Sequence, residues 1–252
     1  MDVVPQFLEE VFVLKIRIKF TKTGNLKFIG HLDVMRYFQK LNRRAGIDMK
    51  YSQGFNPHQI MSFAQPLGIG LTSVGEYVDI EVNSTLSSKD AIKVYNEHSV
   101  PEIQILSYKL LADDVPNAMS QVAAADYMIS FREGYLPDFD FETEFTKFMC
   151  LEEFMFERVS KKTTKTIDII ELSYGYKFVD GKLGLRVSTG SVENLKPETV
   201  LEAFYLWINK PFDEYNFLIE RTEVYGIKVE ENKEFGPLKK FVALEDFGED
   251  IE

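Results

Sequence analysis

The chain has 252 residues, 45% hydrophobic and 27% charged, the balance of a globular protein long enough for one large domain or two of ordinary size. No stretch offers the roughly 18 apolar residues of a membrane helix, and the N-terminus carries no export-leader pattern, so no membrane partner and a cytoplasmic location are expected. Net charge is −11, and Cys150 is the single cysteine, which excludes an intrachain disulfide and any iron–sulfur cluster or cysteine zinc site built from this chain alone.

The charge is unevenly placed. Residues 1–60 hold ten Lys and Arg against five Asp and Glu, whereas the remainder holds nineteen against thirty-five. A local basic surface on an otherwise acidic protein is expected.

Residues 11–20 alternate, with Phe12, Leu14, Ile16, Ile18 and Phe20 on one side and Lys15, Arg17 and Lys19 on the other, which predicts a half-buried strand. Residues 31–45 switch to a helical period, with Val34, Phe38, Leu41 and Ala45 on one stripe and Gly46 as the stop. A loop over 51–58 carries Gly54 and Asn56-Pro57 as turn signals. Strands are predicted over 60–64, 77–82 and 101–110, and a helix over 87–96 with Ser87 or Ser88 at its start. Segment 111–121 reads as a linker.

The same order of elements returns after it. A strand is predicted over 125–131, a helix over 141–160, a hairpin from 166–173 and 182–189 around Asp180-Gly181, a helix over 196–209 and a strand over 217–229. The expected fold is α+β, two tandem ferredoxin-like domains of order βαββαβ, at 11–110 and 122–229. Residues 230–252 are expected to be an acidic C-terminal tail, at most partly ordered.

Chemistry-bearing residues concentrate between 31 and 58. On the first helix Arg36, Lys40 and Arg43 fall close together, flanked by Asp33 and Arg44, opposite the apolar stripe. Such a face offers a phosphate backbone several cations, or it is a solvated surface with Asp33 paired to Arg36. His31 at the helix start is a candidate general base, since the helix N-terminus disfavours a protonated imidazole, or else it merely completes the helix start. The loop Tyr51-Ser52-Gln53-Gly54-Phe55-Asn56-Pro57-His58 holds more rings and amides than a turn requires. Tyr51, Gln53, Phe55, Asn56 and His58 suit stacking on, and hydrogen bonding to, an exposed base or other planar group, or else they pack among themselves. Pro66 to Gly75 lacks both the dinucleotide fingerprint and the Walker lysine, so its glycines are expected to connect strands, and no metal or cofactor is expected. Tyr174, Tyr176 and Trp207 are expected in the second core.

The strand from Leu14 to Gly24, the Gly30-His-Leu-Asp33 helix start and the Tyr51–Pro57 loop together resemble the accessory domain of radical-SAM-linked proteins, a bacterial family whose members occur beside or fused to cobalamin-type radical SAM enzymes. Arg221, Thr222 and Tyr225 are similar to that family's closing strand. The resemblance implies a radical SAM protein on a separate chain as partner, and no catalytic residue. The expected function is accessory, through RNA or a ribosome-associated substrate. The alternatives are an RNA-processing or RNA-modifying enzyme using a histidine base, by fold analogy with CRISPR repeat-processing endoribonucleases, and a pure protein-interaction adaptor.

Overall fold

Alternation along the first strand divides its residues between two environments. In β1 (Leu14–Lys22), Ile16, Ile18 and Phe20 enter the core, while Arg17 and Lys19 lie on the opposite face of the sheet. The computed structural model describes residues 13–159, 164–190, 193–230 and 238–252 as a mixed α/β protein with one large mixed sheet. Residues 11 and 12 of the expected first strand lie outside the described residues.

After β1 come α1 (His31–Arg44), β2 (Met61–Phe63), β3 (Thr72–Val82), α2 (Ser88–His98) and β4 (Ile105–Leu111). Val34, Phe38 and Leu41 bury the apolar stripe of α1 against β1 and β3, and Gly46 leaves the helix at φ +65. Ser87 caps α2 by accepting from Asp90 N. The strands stand in the order β4-β1-β3-β2, all neighbours antiparallel.

The second half contains α3 (Ala118–Gln121), β5 (Ala124–Phe131), α4 (Phe141–Met149), β6 (Met155–Val159), β7 (Thr164–Asp168), β8 (Ser173–Val179), β9 (Lys182–Ser188), α5 (Pro197–Trp207) and β10 (Phe217–Glu230). Its sheet order is β10-β5-β9-β8. Phe145, Phe148 and Phe204 from α4 and α5 form the centre of its core. The halves share one ten-stranded sheet because β10 runs parallel to β3, Glu220 beside Thr72 and Arg221 beside Ser73. Gly75 permits the approach, since a Cβ there would lie 2.6 Å from Thr222 O.

Several expectations are corrected. The predicted helix over 141–160 stops at Met149, because beyond it the burial period changes to two: Met155 is exposed, Phe156 buried and Glu157 exposed. Its last residue, 160, lies outside the described residues. The hairpin does turn at Asp180-Gly181, both at positive φ, but its first arm is β8; most of 166–173 belongs to β7 and the turn after it. There the Asp168 carboxylate accepts from Phe154 N and Ile170 N and ends the strand, which pairs with β6 in a separate two-stranded sheet. The expected linker contains α3, whose first N–H donates to Asp79 Oδ2 at 2.7 Å.

The expected tail is a strap over its described residues. β11 (Leu238–Ala243) pairs with β10, a 3-10 turn follows at Leu244–Phe247, and β12 (Gly248–Glu249) pairs with the outer edge of β4. Between those two strands it lies over the face of β1 opposite α1 and α2, where Lys19 Nζ reaches Glu245 at 2.6 Å and Arg17 donates to Leu244 O at 3.0 Å. Buried Leu244 anchors it.

Candidate functional site

Helix α1 and the loop between it and β2 are joined by a chain of buried amides. Tyr95 OH on α2 donates to Asn42 Oδ1 (2.9 Å), Asn42 Nδ2 to Gln59 Oε1 (3.0 Å), and Gln59 Nε2 to Gln39 O (3.2 Å) and Tyr51 OH (3.4 Å). Asn42, Gln59 and Tyr95 are all buried, and Tyr51 pairs with Gln59 as an isolated bridge. The loop is therefore held at its base by satisfied polar groups rather than by apolar packing. Within it Ser52 N donates to His58 O at 2.8 Å, Ser52 Oγ lies 2.9 Å from His58 Nδ1, and Gly54 adopts φ +112.

At the tip Phe55 is fully exposed, and Gln53, Asn56, Pro57 and His58 are exposed beside it. The Phe55 ring therefore projects into solvent from a loop anchored at its base. Arg43 stands next to Tyr51, whose phenol is held below its ordinary pKa by the hydrogen bond from Gln59 and then by Arg43. Arg36 is exposed but paired to Asp33 at 3.2 Å, and Arg44 is drawn to His98 O and the Tyr37 ring. Lys40 is exposed and has no hydrogen bond or ion pair among the described residues. Arg43, Tyr51 and the loop tip thus form one surface, with Lys40 and Arg36 further along α1 and Arg44 turned to α2.

His31 does not join it. It lies twelve residues before Arg43 on α1, about 18 Å along the axis, and its ring packs edge-on to Phe63 (5.2 Å) in a recess shared with Lys22, Gln65 and Glu76. Among the described residues no three His, Cys, Asp or Glu gather as metal ligands would. No helix among them is long and apolar enough to cross a membrane.

A family model for an uncharacterized protein conserved in bacteria (DUF2344) matches residues 15–197, a span that includes α1, the anchored loop and the His31 recess. The chain belongs to this family. No curated protein matches it. The DUF2344 match ends at the start of α5, so Arg221 and Tyr225 of β10 lie beyond it.

Sequence reasoning passed over one group in this DUF2344 protein and, in a second, named Tyr174 and Tyr225 but not the Asp126 and Arg186 beside them. Asn42, Gln59 and Tyr95 drew no notice because one buried amide per element leaves no pattern. The second group lines an open cleft of about 350 Å³ on the helix-free face of β5, β8 and β9. There Arg186 binds Asp126 through two nitrogens (2.6 and 2.8 Å) and lies 4.3 Å from the Tyr225 ring centroid, while Tyr225 OH donates to Asp126 Oδ2. Burial first, then Asp126, pushes the Tyr225 phenol up to about 12. Tyr174, expected in the core, is exposed at this cleft and stacks on Phe241 at 5.1 Å; Tyr176 and Trp207 do pack on the second core. The available signal was the alternation that places Asp126 and Arg186 opposite their apolar neighbours.

Proposed function

We propose that this DUF2344 protein is an accessory, RNA-contacting protein that works with a radical SAM enzyme carried on a separate chain. The exposure of Phe55 at the tip of a loop locked by the Tyr95–Asn42–Gln59–Tyr51 chain carries the reading. Aromatic rings displayed beside amides and cations suit unstacked bases and their phosphates, and Arg43, Lys40 and Arg36 supply the cations. A single cysteine in the chain leaves cluster ligation to the partner. We also read each half as a ferredoxin-like unit, a view supported by the matching strand orders β4-β1-β3-β2 and β10-β5-β9-β8.

The test is fluorescence anisotropy with a labelled single-stranded RNA across a salt series. Binding is expected to weaken steeply as salt rises, to lose about 1–3 kcal/mol in Phe55→Ala, and to show a flatter salt slope in Arg36→Ala/Lys40→Ala/Arg43→Ala. RNA binding that ignores these substitutions, or no binding at low salt, overturns the reading. Capture of the radical SAM enzyme through the same loop, without RNA, would favour the adaptor.

A further inference from the structure

Lys22, the last residue of β1, is 2% exposed and has no hydrogen bond or ion pair among the described residues. Strand alternation places it, with Ile16, Ile18 and Phe20, on the helix side of the sheet, where it lines the recess with His31 and Glu76. The charges there do not balance. Glu76 is the one carboxylate in the recess, and both its oxygens are engaged by Arg221 at 2.6 Å. Arg221 and Glu76 cancel, so the ammonium of Lys22, carried on a buried stem, has no counter-ion of its own in the recess. Burial holds its ammonium below the ordinary lysine pKa, with Glu76 opposing and Arg221 adding to the fall.

The recess is also the start of α1. Gly30 is the N-cap, no side chain caps the helix, and the space beside the Gly30 Cα is open. A fourteen-residue helix presents unpaired N–H groups and the positive end of its dipole at this point. The first residue of that helix, His31, and the Lys22 side chain therefore line one small volume.

We propose that this recess binds an oxyanion, the phosphate or carboxylate group of a small ion or of a larger ligand's terminus, held by Lys22, His31 and the N-terminus of α1. The recess is about 20 Å³, little more than one water molecule needs. It therefore seats a single oxygen of the anionic group, and the rest of that group and any larger body remain outside, beside the Pro66-Leu67 wall. The site is separate from the Phe55 loop, and its success or failure does not depend on RNA binding.

The experiment is thermal unfolding and isothermal titration of the full chain with sodium phosphate, sodium acetate and sodium chloride at matched ionic strength. Phosphate, acetate or both should raise the melting temperature over chloride in a saturable way, and the stronger of the two identifies the anionic group. Lys22→Met should abolish the saturable shift and His31→Leu should weaken it about tenfold or more. Should Lys22→Met fail to fold, the His31 imidazole and Lys22 side-chain NMR resonances of the unmodified protein give the second measurement, both moving with the same dissociation constant. Equal behaviour of all three salts, unmoved resonances, or an anion-specific shift retained in Lys22→Met would leave the recess as a water site and overturn the proposal.

Discussion

Arg221 on β10 donates to both oxygens of Glu76 on β3, through contacts of 2.6 to 2.8 Å, with both side chains buried. Its Nη2 also donates to Gln65 O at 2.6 Å. This pair stands where the second half of the sheet meets the first, beside the two-residue parallel register that joins them. A junction so short needs a directional contact, and the guanidinium fork provides one.

Replacing Arg221 by Met should therefore cost about 3–5 kcal/mol, because Glu76 is left charged and buried without its partner. The double variant Glu76→Gln/Arg221→Met should recover a large part of that loss. Urea denaturation of the three proteins measures it, and a loss below about 1 kcal/mol in the single variant would show the junction held by packing alone.

Gly75 gives a steric test of the same junction. A methyl group there meets backbone on the facing strand, Thr222 O at 2.6 Å and Glu223 Cα at 2.8 Å, so neither neighbour can rotate away. Gly75→Ala should lower stability by about 1–3 kcal/mol or more. Gly175→Ala, which meets nothing within 4 Å, should be neutral or slightly stabilising. Melting temperatures of the pair decide the point.

Glu198 at the start of α5 predicts a pH dependence. Burial raises its carboxyl pKa, and its Oε2 lies buried with no hydrogen-bond partner among the described residues. The folded state thus binds this proton more tightly than the unfolded state. Its contribution is fully present below about pH 4.5 and is lost as pH rises through the raised value. Glu198→Gln should raise the melting temperature at pH 7, with the gain shrinking toward pH 4; a gain that stays constant with pH would refute the assignment.

The loop separates display from anchorage. Phe55→Ala should change the unfolding free energy by less than about 0.5 kcal/mol, since the ring touches water. Gln59→Ala strands the Asn42 amide and the Tyr51 end of the chain, at about 1–3 kcal/mol. Differential scanning calorimetry on both variants checks the contrast.

Period and punctuation in the sequence determined the elements of this protein. The alternation around Ile16, Ile18 and Phe20, the stripe Val34-Phe38-Leu41, the Ser87 cap and the Asp180-Gly181 turn are local signals, each written within one or two turns of chain. The excess of rings and amides in residues 51–58 was local too, but which of them face water and which tie the loop down, as Tyr51 does through Gln59, was decided by the tertiary structure. Tertiary structure alone decided where β10 goes, since two parallel pairs and one glycine contact join residues about 148 positions apart and leave no periodic trace. It likewise turned the acidic end into a strap, because the Lys19–Glu245 and Arg17–Leu244 contacts exist only when the first strand and the last turn meet. The solitary burial of Lys22 belongs to the same class: whether a lysine at a strand end faces water or a closed recess depends on what packs over it.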